Sequence, residues 1–174
     1  MRIFTIVAGV NGVGKSSLMG FLKGERYDLG IIVDVYAISA KCGGNIKGGK
    51  KAIQIINDCL DKKINFTQET TLSGKRIFGT LEKAKKNGYY IRMYYVALSS
   101  LNESCIRIEN RVRKGGHDIP KEDVTKRFAK RFDDVIKVLP YCDEVHFYDN
   151  ENGFIDAGEY KNGEIVIKQH TEWL

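Results

Sequence analysis

Apolar residues along the chain follow two rhythms. Residues 2–8 (RIFTIVA), 29–35 (LGIIVDV), 64–70 (INFTQET), 89–98 (YYIRMYYVAL) and 143–149 (DEVHFYD) are short runs rich in β-branched and aromatic residues, as buried strands require. Between them, apolar residues recur at spacings of three and four. Ala52, Ile55, Ile56, Cys59 and Leu60 predict a helix over 50–63. Val124, Phe128, Phe132, Val135 and Leu139 give a later helix its apolar face. A helix from about Lys15 to Lys23 follows the first strand, and a lysine-rich one runs from Ser73 to about Asn87, where Gly88 stops it. Ser100-x-x-Glu103 is a capping box for a helix that ends at Gly115-Gly116. Pro120 suits the first turn of the next helix, which has Glu122 and Asp123 near its start. The stretch KCGGNIKGGK (41–50) reads as a mobile loop. Asn162-Gly163, between two alternating runs, predicts a β-hairpin over about 154–169.

Strands separated by helices imply right-handed crossovers and a mainly parallel sheet with helices on both faces, an α/β fold of three layers. Ligands of such sheets bind beyond the carboxyl ends of the strands. The 174 residues, 43% hydrophobic, fit one domain spanning 1–174 with a sizeable core. No run approaches the apolar length of a membrane span, and the amino-terminal stretch lacks the pattern of a signal peptide. The expectation is a cytoplasmic protein without a membrane partner. Cys42, Cys59, Cys105 and Cys142 form no C-x-x-C pair, so they read as packed free thiols.

Charge is unevenly distributed. Residues 1–139 carry 26 basic and 14 acidic side chains, whereas residues 140–174 carry 2 and 8. A basic body suits an anionic partner, and a phosphorylated metabolite or a nucleic acid would both satisfy it.

The first strand runs into Gly9-Val10-Asn11-Gly12-Val13-Gly14-Lys15-Ser16, a complete G-x-x-x-x-G-K-[ST] pattern with an apolar helix behind it. Glycines allow the main chain to curl so that consecutive N–H groups converge on phosphate oxygens at a helix N-terminus. Gly9, Asn11, Gly12, Val13, Gly14, Lys15, Ser16 and Ser17 are therefore the expected nucleotide site. Lys15 would reach the β- and γ-phosphates, and Ser16 would ligate Mg²⁺. A GTPase should add an N-K-x-D base reader and a D-x-x-G switch, and neither occurs. An ABC-type ATPase would follow Leu72-Ser73-Gly74 with a strand ending in Asp-Glu, but YYIRMYYVAL ends in serines.

A small kinase remains, with a P-loop core and a helical lid over about 101–139. Asp34, closing the second strand run, is placed to accept a proton from an attacking hydroxyl; an acidic strand-end cap or a carboxylate bound to metal through water would use the same position. Glu69 and Thr70 close the third strand, where Glu69 could hold substrate hydroxyls, a basic partner or a structural ion pair. Charge on the transferring phosphoryl group calls for arginines. Arg107, Arg111 and Arg113 precede the Gly115-Gly116-His117 break, and Arg127 and Arg131 follow it. Most of these are expected on solvated faces.

Three blocks, AGVNGVGKSSL (8–18), FTQETTLSG (66–74) and RVRKGGHDIPKEDVTKRF (111–128), resemble the zeta toxin family of P-loop kinases. That resemblance implies a P-loop NTPase fold and ATP- and Mg²⁺-dependent phosphorylation of a sugar hydroxyl of UDP-N-acetylglucosamine. Some members are toxins held in check by an antitoxin protein. Carried across, Lys15 and Ser16 bind phosphate and metal, Asp34 is the base, Glu69 belongs to the substrate side, and Arg111 and Arg127 contact the transferring phosphate. Two phosphorylated ligands then account for the basic body without nucleic acid. The alternatives are a P-loop ATPase or nucleotide switch acting through a protein partner, and a nucleic-acid 5′-kinase.

Overall fold

The central strand is β1 (Arg2–Ala8), whose residues are all buried except the half-buried Arg2. Burial on both faces is what its unbroken apolar run demands. The computed structural model describes residues 1–174 apart from the side chain of Asn45. β1 lies between β3 (Phe66–Thr70) and β4 (Tyr89–Ala97), with β2 (Ile31–Val33) outside β3 and β5 (Glu144–Asp149) outside β4. All five run parallel. β6 (Ile155–Lys161) and β7 (Glu164–Ile167) continue the sheet antiparallel beyond β5, giving the order β2-β3-β1-β4-β5-β6-β7.

Alternate residues of β1 feed two cores. Phe4, Ile6 and Ala8 join Phe66, Ile91 and Met93 beneath α3 (Asn45–Lys62), α4 (Arg76–Lys86) and the C-terminal half of α6 (Lys121–Val138). Phe4 and Phe66 stack with ring centroids 4.3 Å apart. Val7 joins Tyr94 and Val96 on the other face, under Leu18, Met19 and Leu22 of α1 (Lys15–Glu25) and Phe128 of α6. The expected three layers are present. All four cysteines are free.

Several local expectations need correction. The second strand run ends at Val33, because Asp34 instead caps α2 (Val35–Cys42) by accepting the N–H groups of Tyr36 and Ala37. The 41–50 stretch is no loop beyond a short break at Gly43-Gly44, and α3 begins at Asn45. Gly48 explains why a glycine-rich sequence is helical there: a Cβ at this position would collide with Ser39, so the glycine lets α2 and α3 touch. Packing outweighs a helix-propensity cost of about 1 kcal/mol per glycine. Helix starts also shift slightly. Lys75, not Ser73, precedes α4, and Pro120 stands just before α6. The capping box before α5 (Leu101–Arg113) is half made: Ser100 accepts the Glu103 N–H at 3.3 Å, while the Glu103 carboxylate turns to Arg107 at 2.7 Å. The hairpin turn at Asn162-Gly163 forms as expected.

Candidate active site

Parallel strands bring the ends of β1, β2 and β3 to one edge of the sheet, and the register sets Val7 beside Glu69 and Ala8 beside Thr70. The glycine loop leaves β1 at this edge and enters α1, whose N-terminus has no side-chain cap and no acidic residue in its first turn. Its free N–H groups and the positive end of the helix dipole are available to an anion. Gly12 has a φ of 81° and its missing Cβ lies against the Ser104 carbonyl, so the curl of the loop depends on glycine there.

A cleft of about 460 Å³ opens over the loop, lined by Asn11, Gly12, Gly14, Lys15, Ser16, Ser17, Asp34, Tyr36, Glu69, Arg107, Ile108, Arg111, His117 and Asn150. Lys15 is buried and donates from Nζ to the Val10 carbonyl at 2.9 Å. Burial pushes its pKa down to about 8; Glu69 partly opposes this, and the positive charges of Arg111 and Arg127 add to it. The Ser16 hydroxyl donates to the Glu69 carboxylate, 3.2 Å from Oε1 and 3.3 Å from Oε2. Burial raises the Glu69 pKa, against the pull of Lys15. Asp34 spends Oδ1 on α2, at 2.9 Å from Tyr36 N and 3.1 Å from Ala37 N, so Oδ2 faces none of those donors.

α5 and α6 are held to the loop through Asn11. Its carbonyl accepts the Ser104 hydroxyl from α5, and its Oδ1 accepts Arg127 Nη1 from α6 at 2.8 Å. Arg111 lines the cleft and donates to the His117 carbonyl at 2.7 Å, which fixes the turn between the two lid helices. Arg107 is gripped by Glu103 and by the Glu151 carbonyl. Arg131 instead stacks on Phe128 and Phe132, 3.8 and 4.1 Å from their ring centres, and Arg113 faces solvent.

Most of the expected nucleotide-site residues line one cleft. Gly9 and Val13 lie behind it: Val13 is fully buried and lends its carbonyl to Asn150 Nδ2 at 2.8 Å. Thr70 Oγ1 accepts the Leu72 N–H at 3.0 Å and so shapes the turn after β3. Tyr36 and Asn150 were not foreseen. Tyr36 directly follows the strand-end run of Asp34, a proximity that could have flagged it, whereas no motif marks Asn150. Among the described residues no group of three or more His, Cys, Asp or Glu is gathered as a metal site. No helix of the described residues is long and apolar enough to cross a membrane.

Sheet order and the glycine loop entering α1 give the chain a P-loop fold, with α5 and α6 beside the loop. Comparison with known proteins narrows this. The zeta toxin family model matches residues 48–155, beginning beyond the glycine loop. An uncharacterized protein of Haemophilus influenzae is 32% identical over 126 residues, which is 69% of this chain and 88% of that protein. The AvrRxo1-ORF1:AvrRxo1-ORF2 complex crystallised with sulphate ions has a chain of the same fold, with a TM-score of 0.75 at 12% identity over 97% of this chain and 61% of that one. The same complex crystallised with ATP gives a TM-score of 0.74 over the same shares at 12% identity. A structure from the PezAT toxin–antitoxin system of Streptococcus pneumoniae gives a TM-score of 0.68 at 15% identity, over 89% of this chain and 70% of that one. This chain thus spans less than two thirds of the AvrRxo1 chains it matches. It belongs to the zeta toxin family, whose model covers more than half of the chain.

Proposed function

We propose that the cleft binds ATP with Mg²⁺ and transfers the γ-phosphoryl group to a hydroxyl of a small metabolite, a nucleotide sugar such as UDP-N-acetylglucosamine being the first candidate. The observation that carries this reading is the convergence of Lys15, Asp34, Glu69 and Arg111 on one cleft over an uncapped helix N-terminus. ATP bound in a crystal of the AvrRxo1 complex and membership of the zeta toxin family support it.

In this reading the loop N–H groups and Lys15 hold the triphosphate. Hard oxygen donors suit Mg²⁺, and the Ser16 hydroxyl facing the Glu69 carboxylate at 3.2 Å is such a pair. Ser16 and Glu69 would hold the ion, which when bound offsets the charge of the β- and γ-phosphates. The acceptor hydroxyl lies against Asp34 Oδ2. Its oxygen forms a bond to the γ-phosphorus as the bond from phosphorus to the β–γ bridging oxygen breaks, ADP departs, and the hydroxyl proton passes to Asp34. Arg111 lines the same space, and Arg127 reaches it through Asn11, so both are assigned to the equatorial oxygens of the transferring group. Besides facing Ser16, Glu69 is assigned to the acceptor side with its neighbour Thr70, whose Oγ1 shapes the turn after β3. Closure of the lid excludes water, which would otherwise compete as acceptor.

The PezAT system pairs a toxin with an antitoxin, and a protein that blocks this cleft is the corresponding partner here, acting with the enzyme in the cytoplasm. The test is mass spectrometry of a sugar-nucleotide mixture incubated with the protein, ATP and Mg²⁺. The expected product is UDP-N-acetylglucosamine carrying one added phosphoryl group. ATP turnover unchanged by sugar nucleotides and accelerated by an oligonucleotide would transfer the assignment to a nucleic-acid 5′-kinase.

A further inference from the structure

β7 ends the sheet, and among the described residues no strand pairs with its outer edge. Its four residues are all exposed, with Ile165, Val166 and Ile167 at 49%, 53% and 56%. Such an edge, apolar and unprotected by proline or bulge, invites another strand. The phase of the ladder decides which groups it offers. The Lys168 N–H donates inward to the Ala157 carbonyl at 2.9 Å. In an antiparallel ladder alternate residues turn both main-chain groups the same way. Glu164, Val166 and Lys168 therefore face β6, and the N–H and C=O groups of Ile165 and Ile167 point out of the sheet. Side chains alternate too, so the two isoleucines emerge on one face while Glu164, Val166 and Lys168 emerge on the other.

We propose that β7 pairs antiparallel with β7 of a second copy of this chain, about a two-fold axis through Val166, so that one sheet runs through both protomers. The segment Glu164-Ile165-Val166-Ile167-Lys168 is its own complement. Ile165 of one copy meets Ile167 of the other, so the outward main-chain groups form two reciprocal hydrogen-bonded pairs and the four isoleucines cluster on one face. Val166 meets Val166 on the opposite face. Each Glu164 meets a Lys168, at the non-hydrogen-bonded positions where opposed side chains come closest. Centring the pairing on Ile165 or Ile167 instead would satisfy the backbone but separate the charges. Lys168 is held along this face by Asp156 at 2.9 Å and Glu159 at 3.3 Å, so its ammonium is ordered before the partner arrives. A two-fold contact of this kind closes after two chains.

Sedimentation equilibrium of the full chain, from about 1 µM to about 1 mM (dissociation constants typical of modest interfaces), measures the association. The mass should rise from one chain to two. Val166→Lys sets two ammonium groups face to face at an exposed position, so dimerisation should weaken at least tenfold while the thermal midpoint of the monomer, read at about 1 µM, stays unchanged. Val166→Cys should form an interchain disulfide under mild oxidation, because Cα atoms of such a pair lie about 4.5 Å apart. Ile165→Cys, whose own copy lies about two residues away along the seam, should not. A single-chain mass throughout the range, a dimer that survives Val166→Lys, or equal cross-linking at 165 and 166 would each overturn the proposal.

Discussion

The indole Nε1–H of Trp173 donates to Asp149 Oδ2 at 2.7 Å, tying the segment after β7 to the turn beneath the glycine loop. Asp149 uses its other oxygen to accept the Glu151 N–H at 2.9 Å, and between them Asn150 reaches the Val13 carbonyl. Glu151 in turn accepts the Ser99 N–H and offers its carbonyl to Arg107. A residue far from the cleft in sequence thus orients the groups behind the phosphate loop. Trp173→Phe keeps the ring packing on Phe132 but removes a hydrogen bond to a buried carboxylate. The expected loss is about 1.5–3 kcal/mol of stability, seen in denaturant unfolding, with nucleotide affinity falling more than the turnover of bound substrate. Unchanged affinity would show that the turn holds its shape without the indole.

Asp34 caps α2 and lines the cleft as the proposed base, and two substitutions separate these roles. Asparagine retains an acceptor for the Tyr36 and Ala37 N–H groups, so Asp34→Asn should preserve stability and ATP affinity. It cannot take a proton, and transfer to the acceptor should fall at least about 100-fold. Asp34→Ala should lose the same activity and, in addition, about 1 kcal/mol of stability. Asp34→Asn with near-normal turnover would leave Asp34 as a cap alone.

Lys15 carries a cost that the proposed contact with a triphosphate would explain. Its ammonium is held in a buried position where its pKa is about 8, against 10.5 for a solvated lysine. Below pH 8 both folded and unfolded chains keep the proton and the penalty is fully present. Between about 8 and 10.5 the unfolded chain binds more protons, so stability rises with pH across that window. Lys15→Met should therefore abolish the rise in stability between about pH 8 and 10.5 and, on the proposed reading, abolish ATP binding. Urea unfolding and nucleotide titration of the same variant check both halves.

The same proton governs ligand affinity. A triphosphate beside Lys15 favours the charged form, so binding above pH 8 must take up a proton. ATP affinity should decline as pH rises through 8, and calorimetry in buffers of different ionisation enthalpy should register the uptake. Equal enthalpies at pH 8.5 would place the triphosphate away from Lys15.

Gly12→Ala tests the loop itself. The added methyl faces the Ser104 carbonyl from a φ of 81°. Both strain and collision push the loop away from α5, breaking the Asn11–Ser104 contact. ATP affinity should fall at least tenfold while the sheet, read by far-UV circular dichroism, is retained.

What could be read in advance followed from how local each signal is. The glycine loop was legible because its residues encode a backbone path directly, and β1, β4 and β5 because their apolar runs have no other use. The strand ending at Val33 was overextended, since Asp34 reads equally well as strand end or helix cap until the N–H groups of Tyr36 and Ala37 are seen around it. The 41–50 stretch misled for a tertiary reason: Gly48 is there for Ser39, a contact with no trace in local propensity. The hairpin was visible, but its attachment to β5 was not, because alternation does not say which neighbour a strand will choose. Asn150 and Trp173 carry no motif. Their roles exist only once the ends of β4 and β5 stand side by side.

The bond from Lys15 to the Val10 carbonyl has a bearing on how fast this loop can work. A lysine clasping the main chain of its own turn serves as an internal stand-in for the incoming guest, so the curvature persists between turnovers. Capture then swaps one partner for another instead of ordering a slack segment, and little conformational entropy is lost at that moment. On the proposed reading, arrival of nucleotide should then be limited by encounter and not by ordering of the loop.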